Sequence, residues 1–302
     1  MNNWMYGNFK VHVGPPLAAR RLCPIGSRTA SASRGPTSEA DKVAALPNLM
    51  AFLCSACVFL WMICSVGAGQ CPVPDIEVAL SDEDFVDFIW VAPLSIWAGK
   101  YEVSNAQYNY FDRAHESKRY YDHVMDLSDQ PVVYVSWEDA NNYCGWLNRN
   151  LRGSIPSGYE FRLPTEKEWE VFASCGDARK YPWGDRWPPP NSFNYRGVEG
   201  SSFIYNIFHN QRFLSGHDDG IVVTAPVGES GLNEWGLFGV GGNVWEWCLD
   251  WNDKSQTARV LRGAGWNNYE PEIIAITNRS AAKPDRSNAM IGFRVVVAPA
   301  KK

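Results

Sequence analysis

Phe161-Arg162-Leu163-Pro164-Thr165-Glu166-Lys167-Glu168-Trp169-Glu170 holds a helix start in its middle. Thr165 and Glu168 stand at the spacing at which a hydroxyl and a carboxylate cap each other's backbone amides, and the helix they open turns Trp169, Phe172 and Ala173 inward. The same device recurs upstream at Ser136 and Asp139, with Asp in place of the usual Glu or Gln. Behind it Trp137, Ala140, Cys144, Leu147 and Leu151 recur at intervals of three and four, the pattern of an amphipathic helix. Ser104 caps a further helix bearing Tyr108 and Phe111, and the apolar alternation of Phe85–Val91 predicts strands at the domain entrance. Beyond Gly176 the chain becomes loop-rich, with Pro182, Pro188, Pro189 and Pro190 in quick succession. Strand-like runs return at Ala258–Leu261 and Gly292–Ala298. No internal repeat or low-complexity stretch follows residue 72.

Charge divides the chain. The first 70 residues carry Lys10, Arg20, Arg21, Arg28, Arg34 and Lys42 against Glu39 and Asp41, whereas the remainder carries 22 basic and 31 acidic residues. An acidic domain lacks the basic footprint that nucleic acid requires. Twelve of the 14 tryptophans follow residue 85, so residues 72–302 have ample apolar area for a core of their own. Leu49–Gly69 contains no charged residue, and a stretch of that length can cross a bilayer core of about 30 Å. The basic flank before it predicts that the acidic domain after it is exported, periplasmic or extracellular. Residues 49–69 then serve either as a membrane anchor or as a signal peptide cleaved after Ala68. Residues 1–48 read as a disordered extension or an over-extended start.

The exported domain keeps four cysteines, Cys71, Cys144, Cys175 and Cys248. Export permits disulfides, yet no CxxC spacing demands them, and buried free thiols suit their aromatic and helical contexts. No zinc-type Cys/His cluster is present, and no GxSxG, P-loop or dinucleotide-binding glycine pattern supports a hydrolase or nucleotide reading.

Four further blocks follow the first in order: Tyr181-Pro182-Trp183-Gly184-Asp185, Gly242-Asn243-Val244-Trp245-Glu246-Trp247, Arg259 through Asn268, and Ile291-Gly292-Phe293-Arg294. In that order and spacing the chain resembles the formylglycine-generating, or sulfatase-modifying factor, family over roughly Phe88–Pro299. The resemblance implies an α+β fold, an elaborated C-type-lectin-like domain with little regular structure, in which Trp137, Trp169, Trp245 and Trp247 are packing residues. It also implies chemistry: active members use two nearby thiols to bind Cu(I), capture a substrate cysteine and activate oxygen. A soft ion of this kind needs thiolate ligands. Those thiols follow a Gly-Gly-Ser-aromatic turn. Here the turn is Gly263-Ala264-Gly265-Trp266, and the window from Asn267 to Ile276 holds no cysteine. Copper-dependent oxidation is therefore not expected.

Calcium is expected instead. The resemblance implies one site built from the Asn194 amide, the Tyr195 carbonyl, the Asp219 carboxylate and the Ile221 carbonyl, all hard oxygen donors. A second would use the carbonyls of Gly242 and Val244 with Glu246, but its usual Asn or Asp stands here as Gly239. A satisfied carboxylate between two tryptophans accounts for Glu246 equally well. Trp266, Asn267 and Asn268 outline a ligand pocket, although the two amides also suit a solvated loop. His217-Asp218-Asp219 reads as a solvated loop rather than a transition-metal site. The expected function is a non-oxidising binding or accessory module, stabilised by calcium, for a peptide, protein or small-molecule ligand, a sulfatase among the candidates. The alternative is an oxidoreductase converting a sulfatase cysteine to formylglycine, or performing a related oxidation.

Overall fold

β2, Phe85–Val91, lies where the alternation of Phe88 and its neighbours places a strand, and it pairs on one side with β1, Ile76–Ala79, and on the other with β3, Ile96–Gly99. A computed structural model describes residues 75–199 and 212–301; the extension, the apolar segment 49–69 and Cys71 lie outside them. Among the described residues no helix is long and apolar enough to cross a membrane.

Three capped helices follow the predicted starts. In α1, Asn105–Asn109, Ser104 and Gln107 cap each other reciprocally; in α2, Trp137–Leu151, Ser136 and Asp139 do so; in α3, Glu166–Ala173, Thr165 and Glu168 do so. Between α1 and α2 lies the short hairpin β4 (Arg119–Tyr120) and β5 (His123–Val124). β6, Tyr159–Arg162, leads into α3. The C-terminal part adds β7 (Trp245–Trp251), β8 (Arg259–Arg262), α4 (Pro271–Ile274), β9 (Ser280–Ala282), β10 (Ile291–Gly292) and β11 (Val296–Pro299).

The strands form a five-stranded sheet ordered β1-β2-β3-β11-β6, a four-stranded sheet ordered β10-β7-β8-β9, and the β4–β5 hairpin. β11 is the closing element: the last strand of the chain inserts antiparallel between β3 and β6. The five-stranded sheet is buried on both faces. Phe88, Trp97, Phe161 and Val297 join α2 residues Tyr143 and Leu147 in one cluster, while Val91, Ile96, Ala98, Val296 and Ala298 join α3 residues Trp169 and Phe172 in another. β7 and β8 divide in the same way, with Trp247 and Leu261 in the first cluster and Cys248 and Val260 in the second. The expected run Gly292–Ala298 is interrupted, because Phe293–Val295 pairs by single backbone bonds with Val103 and Gly99 rather than in a ladder. The interruption turns Arg294 into the interior, where it is fully buried.

Candidate functional site

Asn243 is the hub on which the site is built. It adopts a left-handed backbone (φ 56°), which Asn tolerates better than other side chains. Its predecessor Gly242 (φ 83°) must be glycine, since a Cβ there would meet the Asn194 carbonyl at 2.5 Å. The Asn243 amide proton goes to that carbonyl (2.9 Å), while its side-chain oxygen accepts from Asn194 Nδ2 (3.1 Å) and Ala225 N–H (2.8 Å). Asn194 Nδ2 also donates to the Val223 carbonyl at 2.7 Å. Both nitrogen bonds go to acceptors, so the amide orientation is fixed. Asn194 Oδ1 is left buried without a donor.

Asp219 reaches the same place from the opposite strand of the loop. Its side chain is only 3% exposed, and it accepts from Tyr195 N–H (3.0 Å) and Ile221 N–H (2.8 Å). His217 Nε2 lies 3.3 Å from the same carboxylate. Burial opposes the His217 imidazolium, but the Asp219 hydrogen bond and charge and the Pro189 carbonyl outweigh it, leaving its pKa above the ordinary value. Asp219 is thus brought to Tyr195 and Ile221, through their N–H groups rather than the expected carbonyls, and the orphaned amide oxygen of the adjoining Asn194 would suit a hard cation. Among the described residues no three His, Cys, Asp or Glu side chains converge on a metal position, so a cation here would draw on amide and carbonyl oxygens.

The second set is organised differently. Both Glu246 oxygens are engaged by the Arg294 guanidinium at 2.7–3.0 Å, and Oε2 also accepts from Trp169 Nε1 at 2.9 Å. Arg294 further donates to the Gly99 and Phe238 carbonyls. A Cβ at Gly239 would lie 2.8 Å from the Glu102 carboxylate, which itself accepts from Asn243 Nδ2 and Val244 N–H. Unlike Asp219, Glu246 is already neutralised by a buried guanidinium, so a cation at Gly242, Val244 and Glu246 would have to compete with the Arg294 charge. Glu102 is held well above the usual carboxylate range by burial and by the Glu246 charge, with Arg294 opposing.

Trp266 is buried rather than presented, with its Nε1–H on the Ala289 carbonyl (3.1 Å) and Tyr120 edge-on at 5.1 Å. Asn268 braces the turn, accepting from Trp245 Nε1–H (3.1 Å) and Gly265 N–H (2.9 Å). Asn267 Oδ1 is buried and has no donor.

The described thiols are free. Cys144 packs in the α2 cluster and Cys248 in the α3 cluster, so they do not form a pair. Burial raises the pKa of both, and of half-buried Cys175, which disfavours the thiolate that copper binding or nucleophilic attack needs.

Comparison with known proteins agrees with this architecture. The family model described as the sulfatase-modifying factor enzyme 1-like domain matches residues 77–299, and the chain belongs to that family. It is 32% identical over 197 residues to a formylglycine-generating enzyme of Thermomonospora curvata, covering 58% of each protein. It is 34% identical over 180 residues to the inactive C-alpha-formylglycine-generating enzyme 2 of Mus musculus, covering 57% of this chain and 50% of the relative. The chain thus spans about half the length of the curated relatives it matches. Its fold resembles Treponema denticola variable protein 1 (TM-score 0.52, 20% identity, 76% of this chain and 94% of that one). It equally resembles PvdO from Pseudomonas aeruginosa (TM-score 0.51, 20% identity, 75% and 92%).

Three residues of the site were not singled out from sequence. Arg294 was visible only as part of a block. Glu102 had a faint signal, an acid between Tyr101 and Val103 in an otherwise apolar run, and Glu199 had none.

Proposed function

We propose that this chain is a non-oxidising member of its family, an exported binding or accessory module stabilised by calcium at Asn194, Tyr195, Asp219 and Ile221. One observation carries the reading against oxidation: the segment following Trp266 has no thiol, and Cys144 and Cys248 sit in separate cores with their protons held on. Identity to an enzyme and to a relative named inactive is comparable, so the reading rests on the thiols. A ligand, whether a sulfatase, another peptide or a small molecule, would meet the half-buried Asn267 and Asn268 rather than Trp266, which is buried beneath them.

Mass spectrometry of a Cys-X-Pro-X-Arg peptide incubated with the copper-treated chain tests the reading. The peptide should return unchanged beside an active family member that converts it in parallel. Appearance of an aldehyde at the peptide cysteine would overturn the proposal and direct mutation to Cys175 and Cys248.

A further inference from the structure

Calcium takes six to eight oxygen ligands, and the four residues assembled around Asp219 supply at most five: one amide, two carbonyls and a carboxylate. Their single formal charge also leaves a divalent ion half neutralised. A second acid stands beside them. Glu199 folds back over Gly197, accepting that residue's N–H at 2.9 Å through Oε1. A Cβ on Gly197 would meet Glu199 Oε2 at 2.4 Å and the His217 carbonyl at 2.5 Å, so the carboxylate lies against the backbone that leads into Asp219. Oε2 is buried and has no donor, as is Asn194 Oδ1, in a side chain 1% exposed. Burial raises the Glu199 pKa, its own backbone N–H opposes this, and the Asp219 charge raises it further.

We propose that Glu199 is a further ligand of the cation held by Asn194 and Asp219, giving the site a second carboxylate. The inference rests on the calcium reading above and extends it. An anionic oxygen and an amide oxygen, both removed from water and both without a hydrogen-bond donor, are the arrangement a desolvated divalent cation satisfies and a proton donor here does not. Gly197 is what permits it, because any side chain at that position would displace the carboxylate. Two carboxylates with amide and carbonyl oxygens favour a hard divalent ion over a transition metal, which would seek the His217 imidazole.

The test is calcium titration of the full chain, read as the rise in melting temperature and as terbium emission sensitised by the neighbouring aromatic residues. Glu199→Gln should fold, keep the ion-free melting temperature within about 2 °C, and weaken calcium binding about tenfold or more. Asp219→Asn should weaken it at least as much, and Glu229→Gln, an exposed acid on another loop, should leave it unchanged. Calcium affinity unaltered by Glu199→Gln while Asp219→Asn abolishes it would overturn the role of Glu199 and leave the calcium site standing. A wild-type chain indifferent to calcium and terbium would overturn both.

Discussion

Replacing Arg294 with Met removes a fully buried cation that pairs with buried Glu246 and restrains buried Glu102. Arg294 is 0% exposed, as is Glu246, and Glu102 is 1% exposed. The guanidinium spans Glu246 and the carbonyls of Gly99 and Phe238, tying β7 to β3 and to the loop before the Asn243 turn. Methionine fills much of the stem volume, so little of the loss is cavity. Uncompensated charge dominates: removing one partner of a buried pair costs about 3–5 kcal/mol. Domains of this kind have about 5–15 kcal/mol in total, so the variant should be marginal in urea melts followed by tryptophan fluorescence. Glu102 adds a pH signature. Its folded pKa already exceeds the unfolded one, and Arg294 is the charge that restrains it. Without Arg294 the folded state holds that proton more tightly. The part of the deficit owed to Glu102 should therefore be constant while the group is still protonated in the wild-type fold and widen only as pH rises through its wild-type folded pKa. Arg294→Met with Glu246→Leu removes both charges and should recover to within about 2 kcal/mol of wild type. A single variant losing less than about 1 kcal/mol, or a double variant less stable than the single, would refute the assignment of Arg294 as the counter-ion of this interior.

Asn243→Ala should cost about 2–4 kcal/mol in the same melts, since it strands the buried Glu102 carboxylate and the Ala225 amide at once. Glu168→Gln should cost about 1–2 kcal/mol at pH 7 by weakening a two-pronged Arg162 ion pair and the α3 cap. Burial works against the Glu168 charge but Arg162 outweighs it, lowering its pKa. The wild-type advantage should thus persist above pH 4.5 and disappear as pH falls through the folded value; an advantage unchanged in acid would show that the charge contributes nothing. Among the described cysteines, Cys175 alone should react promptly with a thiol reagent under native conditions, with Cys144 and Cys248 waiting on unfolding; rapid labelling of either buried thiol would reopen a redox role.

Local rules made the helices legible. The boxes at Ser136 and Thr165 each span four residues and their physics is complete within one turn; both are present, and the cap read at Ser104 proves to be a third box with Gln107. Strand β2 was equally readable, because both its alternation and its burial are local. β7 was not: Trp245–Trp251 has large side chains on both faces, and only the division of the interior into an α2 side and an α3 side explains why. The site shows the same boundary. Asn194 and Asp219 are placed by a resemblance of pattern, yet their conjunction depends on Asn243, which is 49 residues from Asn194 along the chain. Glu246 was open between ligand and packed carboxylate, and the choice lay in Arg294, 48 residues further on. Glu102 lies 141 residues from the amide it meets. Charge pairs of this span leave no periodicity to read. They also explain why Gly239 can stand where the family pattern has an Asn or Asp: with Glu102 at 2.8 Å from any Cβ there, a side chain would collide with the carboxylate that anchors the Asn243 turn. The acid that fills this space is engaged by Asn243 and Val244, whereas Asn194 Oδ1, on the far side of the same turn, stays buried without a donor.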